Sequence, residues 1–365
     1  MILDDVQALE TRADLSRLIS GLFEKVSPAA TLVQRADAAA LGEIDQALWG
    51  RINGEIGVVG LTVPEGLGGA GATVAESAVV LEQIGRRAAA IPFLGSFLAV
   101  EALVRGGDTR AQERWLSDLL QGDARGAVAL AAGLSAQRRG DLWTVTGSVD
   151  LVIDGFGADV LVVPALTPEG PRWLAVDLAG VERTRREVLD LTRELASLVM
   201  SEAPGVEIAE GGRFADLEAY LESLAVLALS VEQLGVAEQA LEDALAYARV
   251  REQFGRTIGS FQAVKHLLAD MATEADLARS LVEHAIWACV ANPSDFSEAA
   301  SLAMLGASRA AVIITGENVQ VHGGIGFSWE HPAHLYFRKA RSNEVLLGSR
   351  ATLSDRVLAA HGVPR

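Results

Sequence analysis

Cysteine is nearly absent. Cys289, inside the apolar stretch HAIWACVA, is the single one in 365 residues, so no internal disulfide can form and the thiol reads as a small core residue. Positive charge is scarce as well. Against 48 acidic residues stand 31 Lys and Arg, a net of −17. That balance works against a broad surface for nucleic acid or for an anionic membrane, and it leaves any phosphate-bearing ligand to a few placed cations. A long hydrophobic run is also missing. LAVLALSV from Leu224 falls far short of the roughly 20 residues that cross a bilayer and reads as a buried helix. The opening MILDDVQALE lacks the basic and then apolar order of a secretion signal, which with the lone cysteine sets the expectation of a cytoplasmic protein.

What is present is apolar residues in quantity, 50% of the chain, enough for more than one core at this length. From Leu9 to about Gly122 they recur at three and four, the period of amphipathic helices, interrupted by the loop VPEGLGGAGAT. Between Gly126 and Glu210 the texture changes to short Val- and Leu-rich runs (LWTVTG, DVLVVPAL, RWLAVDL, ASLVMSEA) separated by Gly, Pro and Asp. The gaps are too short for helical crossovers, so antiparallel strands are expected. Proline then vanishes from Phe214 to Gln253, where Gly235 is the one interior glycine, and a helix near 40 residues is expected. Ile258–Ala291 and Ser294–Val321 supply two more, the latter capped by Ser294 or Asp295, and Glu330–Asn343 and Leu347–Ala360 two shorter ones. The pattern predicts an α+β, mainly α, chain in three parts. Residues 1–125 form an N-terminal helical domain, 126–212 a small antiparallel β domain, and 213–365 a long-helix bundle of the four-helix type.

That order, with three strings, resembles the acyl-CoA dehydrogenase family. The strings are GVVGLTVPEGLGGAG with VLEQIGRRAAAIPFLGS, LAYARVREQFGRTIGSFQAVKHLLADM, and VQVHGGIGFSWEHP. Together they span nearly the whole chain. The resemblance implies FAD at the interface of two subunits and a glutamate that takes the α-proton of an acyl-CoA while the β-hydrogen leaves as hydride to the flavin. It also implies electron-transferring flavoprotein as the default electron acceptor.

Set against the family pattern, parts are missing. Its usual Tyr-Glu-Gly-Thr motif is here Leu346-Leu347-Gly348-Ser349, so the base is a leucine. The alternative location, a glutamate just before an arginine on the first long helix, falls on Ala225 and Val226. Glu222, about one turn earlier, reads as a solvated helix-face acid rather than a replacement base. In the β domain the flavin-gripping loop is shrunk to ALAAGLSAQRRGD, and a Trp-Thr or Trp-Ser pair aligns approximately with Leu151-Val152.

Other parts remain. The residues with which the family holds the adenosine-diphosphate half of a neighbouring subunit's flavin correspond to Arg251, Gln253, Phe254, Gln262 and the Gln-x-x-Gly-Gly segment, here Gln320, His322, Gly323 and Gly324. A guanidinium fork suits a pyrophosphate, amides suit ribose or adenine edges, and glycines let backbone approach a bulky ligand. The resemblance therefore points to the non-catalytic subunit of an actinobacterial α2β2 steroid side-chain acyl-CoA dehydrogenase, partnered by a catalytic paralogue. Two alternatives stay open: a self-sufficient homotetramer with a base such as Glu222, and a structural or regulatory partner that binds no flavin. Glu330, His331 and His334 imitate a metal cluster, but Pro332 and the missing further ligands favour packing or surface roles. Arg338, Lys339 and Arg341 read as a solvated face.

Overall fold

The computed structural model describes residues 6–27, 32–34, 43–131 and 133–363. Its first part is helical: α1 (Val6–Val26), α2 (Gln46–Ile52), α3 (Val74–Arg87), α4 (Phe93–Gly106) and α5 (Thr109–Gln121). Local sequence sets their ends. Thr73 and Glu76 form a reciprocal capping box at the start of α3, Asp108 caps α5, and Gly107 and Gly122 take the left-handed conformation that stops α4 and α5. Nearly every residue of α4 is buried, because α5, the β domain and the long helices pack around it.

Seven strands follow: β1 (Gly126–Val128), β2 (Leu134–Arg139), β3 (Leu142–Ile153), β4 (Val160–Thr167), β5 (Gly170–Asp177), β6 (Glu182–Arg185) and β7 (Leu195–Glu210). Strands β4, β2, β3, β7 and β5 close a ring, with β1 added beside β4 and β6 beside β7. Most pairings are antiparallel as expected, but β1 and β2 both run parallel to β4. The β2–β3 hairpin itself supplies the crossover that the short gaps deny to a helix. Both faces of β4 are buried: Leu161 and Val163 point into the β core, while Val160 and Val162 join the core shared with the helices. That is why its sequence is a continuous apolar run rather than an alternation.

The bundle consists of α6 (Gly212–Val250), α7 (Gln262–Ala291), α8 (Phe296–His322), α9 (Ala333–Leu346) and α10 (Arg350–Ala360). Helix α6 is buried on all sides from Ser223 to Ala237, which accounts for its apolar run. It ends at Val250, three residues before the expected Gln253. Glu252–Gln253 and Arg256–Thr257 instead form a small hairpin, β8 and β9, turned by Phe254 and Gly255, both at positive φ. By length and composition α8 with its following turn (Phe296–Phe327) is apolar enough to cross a bilayer, contrary to the sequence expectation. Its alanines Ala299, Ala300, Ala303, Ala307, Ala310 and Ala311 are buried, and its main neighbours are α6 and α7, as in a core helix.

Candidate functional site

Residues that the sequence singles out separately meet in a cavity of about 290 Å³ between the β domain and the bundle. Its walls are Val128 at the end of β1 with Ala129–Ala131 after it, Asp150–Ile153 at the end of β3, Glu222 and Val226 on α6, Leu346 at the end of α9 with Leu347 just past it, and Arg356 on α10. Leu347, expected at a catalytic position, and Leu151-Val152, expected near the flavin-gripping pair, are thus on one lining. Leu151 sits at positive φ in a bulge where β3 changes register against β7. A β-carbon there costs on the order of 1 kcal/mol or more, the kind of strain that gathers at functional sites.

Two expectations change. Ala225 is fully buried away from the cavity, and its neighbour Val226 faces the wall. One residue is about 100° around a helix. Glu222 is not simply solvated: it lines the cavity, and Arg356 Nη2 donates to its Oε2 at 2.9 Å. No local pattern marks Arg356, because the pair joins residues 134 apart. At the cavity mouth Asp150 is occupied by Arg186, Ser197 and the Leu151 N–H, which hold its carboxyl down at about 2. The remaining side chains of the lining are aliphatic.

A second group collects at one end of the bundle. Helices α6 and α8 run in the same direction, and Tyr247 near the end of one stacks on His322 at the end of the other, ring centroids 4.3 Å apart. The β8–β9 hairpin and the start of α7 lie at this same end. Arg251, Gln253, Phe254, Gln262, Gln320, Gly323 and Gly324 belong to the segments at this end, and all seven are exposed. Phe254 is 94% exposed in a left-handed conformation that aromatic residues rarely adopt, an apolar ring held outward at a local cost. Arg251 has no carboxylate partner among the described residues. His322, unlike these seven, is buried. It lies between Tyr247 and His331, and its Nδ1–H donates to the Asn318 carbonyl at 2.9 Å. His331 is part of that stack, and burial with His322 and His334 nearby brings it down to about 4.

Sequence reasoning missed a third feature. Lys339, expected on a solvated face, is 1% exposed. Its Nζ lies 2.6 Å from Glu232 of α6 and 3.1 Å from Asp190, and it donates to Thr192 at 3.0 Å. Arg193 pairs with the same Glu232. Burial acts to raise the Glu232 carboxyl, but Arg193 and Lys339 outweigh it and hold Glu232 at about 2. The cluster fastens the segment before β7 to α6 and α9. A signal existed: the buried face of α9 runs Ala333, Tyr336, Lys339/Ala340, Asn343, a helical period that includes the lysine.

With this geometry in place, comparison with known proteins is direct, and the chain belongs to the acyl-CoA dehydrogenase family. Residues 218–361 match the acyl-CoA dehydrogenase C-terminal domain and residues 24–123 the N-terminal domain. The chain is 36% identical over 341 residues to the acyl-CoA dehydrogenase IpdE2 of Mycobacterium tuberculosis, covering 93% of this chain and 94% of that one. Among solved structures it is similar to a Tcur3481–Tcur3483 steroid ACAD variant, at TM-score 0.86 and 30% identity, covering 97% of this chain and 98% of the other. The ChsE4–ChsE5 complex from Mycobacterium tuberculosis is similar at TM-score 0.86 and 30% identity, with 98% of each chain covered.

Members of this family generally bind FAD. The two places described above fit that group differently. The aliphatic cavity offers a flavin ring few hydrogen-bond partners, since Asp150 is already engaged and the remaining polar pair is Glu222 with Arg356. The bundle end presents groups whose chemistry suits a diphosphate better: a guanidinium with no carboxylate partner among the described residues, exposed amides and two adjacent glycines.

Proposed function

We propose that this chain is the non-catalytic subunit of a heteromeric acyl-CoA dehydrogenase. It pairs with a paralogue that carries the glutamate and the flavin-ring site, as an α2β2 heterotetramer, and the assembly converts an acyl-CoA to its 2,3-enoyl-CoA. One observation supports the reading: no aliphatic side chain accepts a proton, and of the two positions matched to the family's base, Leu347 lines the cavity and Ala225 is fully buried. The exposed set from Arg251 to Gly324 then serves the partner's FAD rather than this chain's own. A steroid side-chain CoA thioester is the proposed substrate, because one similar structure is the Tcur3481–Tcur3483 steroid ACAD and another is the ChsE4–ChsE5 complex. Electron-transferring flavoprotein is the proposed acceptor, the cytoplasm the proposed location, and residues 1–125, 126–212 and 213–365 the proposed domains.

The test is co-expression with a catalytic acyl-CoA dehydrogenase paralogue from the same organism, followed by counting FAD per chain. About one flavin for every two chains is expected, with turnover only in the pair. A lone chain that is yellow and active rejects the proposal, and a complex that is inactive and flavin-free points to a structural partner. One observation favours a second reading, a self-sufficient enzyme: Glu222 shares the cavity with Leu347. Under it, Glu222→Gln would cost the lone chain about 10²-fold or more in turnover.

A further inference from the structure

We infer that the cavity beside Leu347 is a binding site for an uncharged alicyclic or branched-aliphatic molecule carrying a keto or hydroxyl group. The inference rests on the reading above, in which this cavity holds no flavin ring. The space is about 290 Å³, near the lower end for small-molecule sites, and its wall is hydrocarbon: Val128, Val152, Ile153, Val226, Leu346 and Leu347. Such a wall selects for an apolar body. The polar capacity left in the lining is concentrated in one pair. Arg356 uses Nη2 on Glu222 Oε2, while its other N–H groups and Glu222 Oε1 have no partner among the described residues. Asp150, by contrast, is committed on both oxygens.

A half-buried pair with a spare donor and a spare acceptor recognises a ligand by complementing each. The guanidinium donates to a ketone oxygen, and the carboxylate accepts from a hydroxyl. Because the two charges neutralise each other, a ligand with a net charge gains little. A carboxylate placed on Arg356 would face Glu222, and an ammonium on Glu222 would face Arg356. The site thus keeps a substrate-sized hollow that has exchanged a reactive lining for a discriminating one.

The experiment is calorimetric titration of the full chain with decalone, decalol and decalin carboxylate, three bodies of one shape. The ketone and the alcohol should bind, and the carboxylate at least tenfold more weakly. Arg356→Gln should weaken the ketone roughly tenfold, as expected for a lost hydrogen bond to a charged group, and Arg356→Lys should recover part of that loss. Val226→Phe fills the hollow and should abolish all binding, with circular dichroism confirming an intact fold. Absence of binding by any of the three, equal binding of the carboxylate, or indifference of the ketone to Arg356→Gln overturns the inference. Flavin absorbance in the lone chain, displaced by decalone, would instead overturn the functional reading on which it rests.

Discussion

Asp154 shows what burial does to one acid. It follows β3 and is 4% exposed, and its carboxylate accepts the Gly95 N–H at 2.9 Å. Around it lie Asp190, Glu194 and Glu232 with Arg185, Arg193 and Lys339, so four carboxylates share three cations. Burial raises Asp154 from 3.8 to about 7, only partly opposed by Arg193. A native group that holds a proton the unfolded chain has released makes stability fall as pH rises from about 4 through about 7. Asp154→Asn keeps the acceptor and removes the charge. It should exceed the wild type in stability by on the order of a few kcal/mol above pH 7, with the gain fading toward pH 4. Urea unfolding across that range measures it, and a gain independent of pH would refute the assignment. Glu232 runs the other way: held at about 2, its contribution is present above its unfolded value of 4.5 and is lost as pH falls through about 2.

Between helices, the crossing of α3 and α6 depends on two glycines. A β-carbon on Gly85 would lie 2.0 Å from the Glu232 carbonyl oxygen, and one on Gly235 would lie 2.2 Å from that of Glu82. Both obstacles are backbone, so the helices would have to separate. This accounts for the lone interior glycine in a helix of 39 residues, which its sequence shows without explaining. Gly235→Ala should destabilise the chain by about 2 kcal/mol or more despite alanine's better helix propensity. Gly212→Ala, at the open start of the same helix, should be neutral or mildly stabilising. Thermal unfolding of both variants tests the comparison, and equal shifts would remove the crossing as the cause.

For the whole molecule, two ends of one fold present different chemistry. The cavity between the β domain and the bundle is mostly aliphatic, while the far end of the bundle displays an outward Phe254 and an Arg251 with no carboxylate partner among the described residues. The proposed assembly predicts that Arg251→Gln in this subunit lowers FAD retention by the heteromer about tenfold, the scale of a lost charge-assisted contact to phosphate. Flavin remaining after buffer exchange reads it out. Retention equal to that of the unmodified complex would detach Arg251 from the cofactor.

Much of this was legible in the chain itself. Apolar periodicity and missing proline set the long helices, short Val-rich runs set the strands, and Leu347 in place of glutamate was a matter of identity at one position. These are local properties, carried by neighbours within a few residues. The rest depends on residues far apart in sequence. The Glu222–Arg356 pair, the sealing of Lys339 against Glu232 and Asp190, the inward turn of His322 and the parallel run of β1 beside β4 each join segments that only folding brings together. Whether a charge is solvated or buried is decided by what packs over it, and that partner lies outside any local window of sequence.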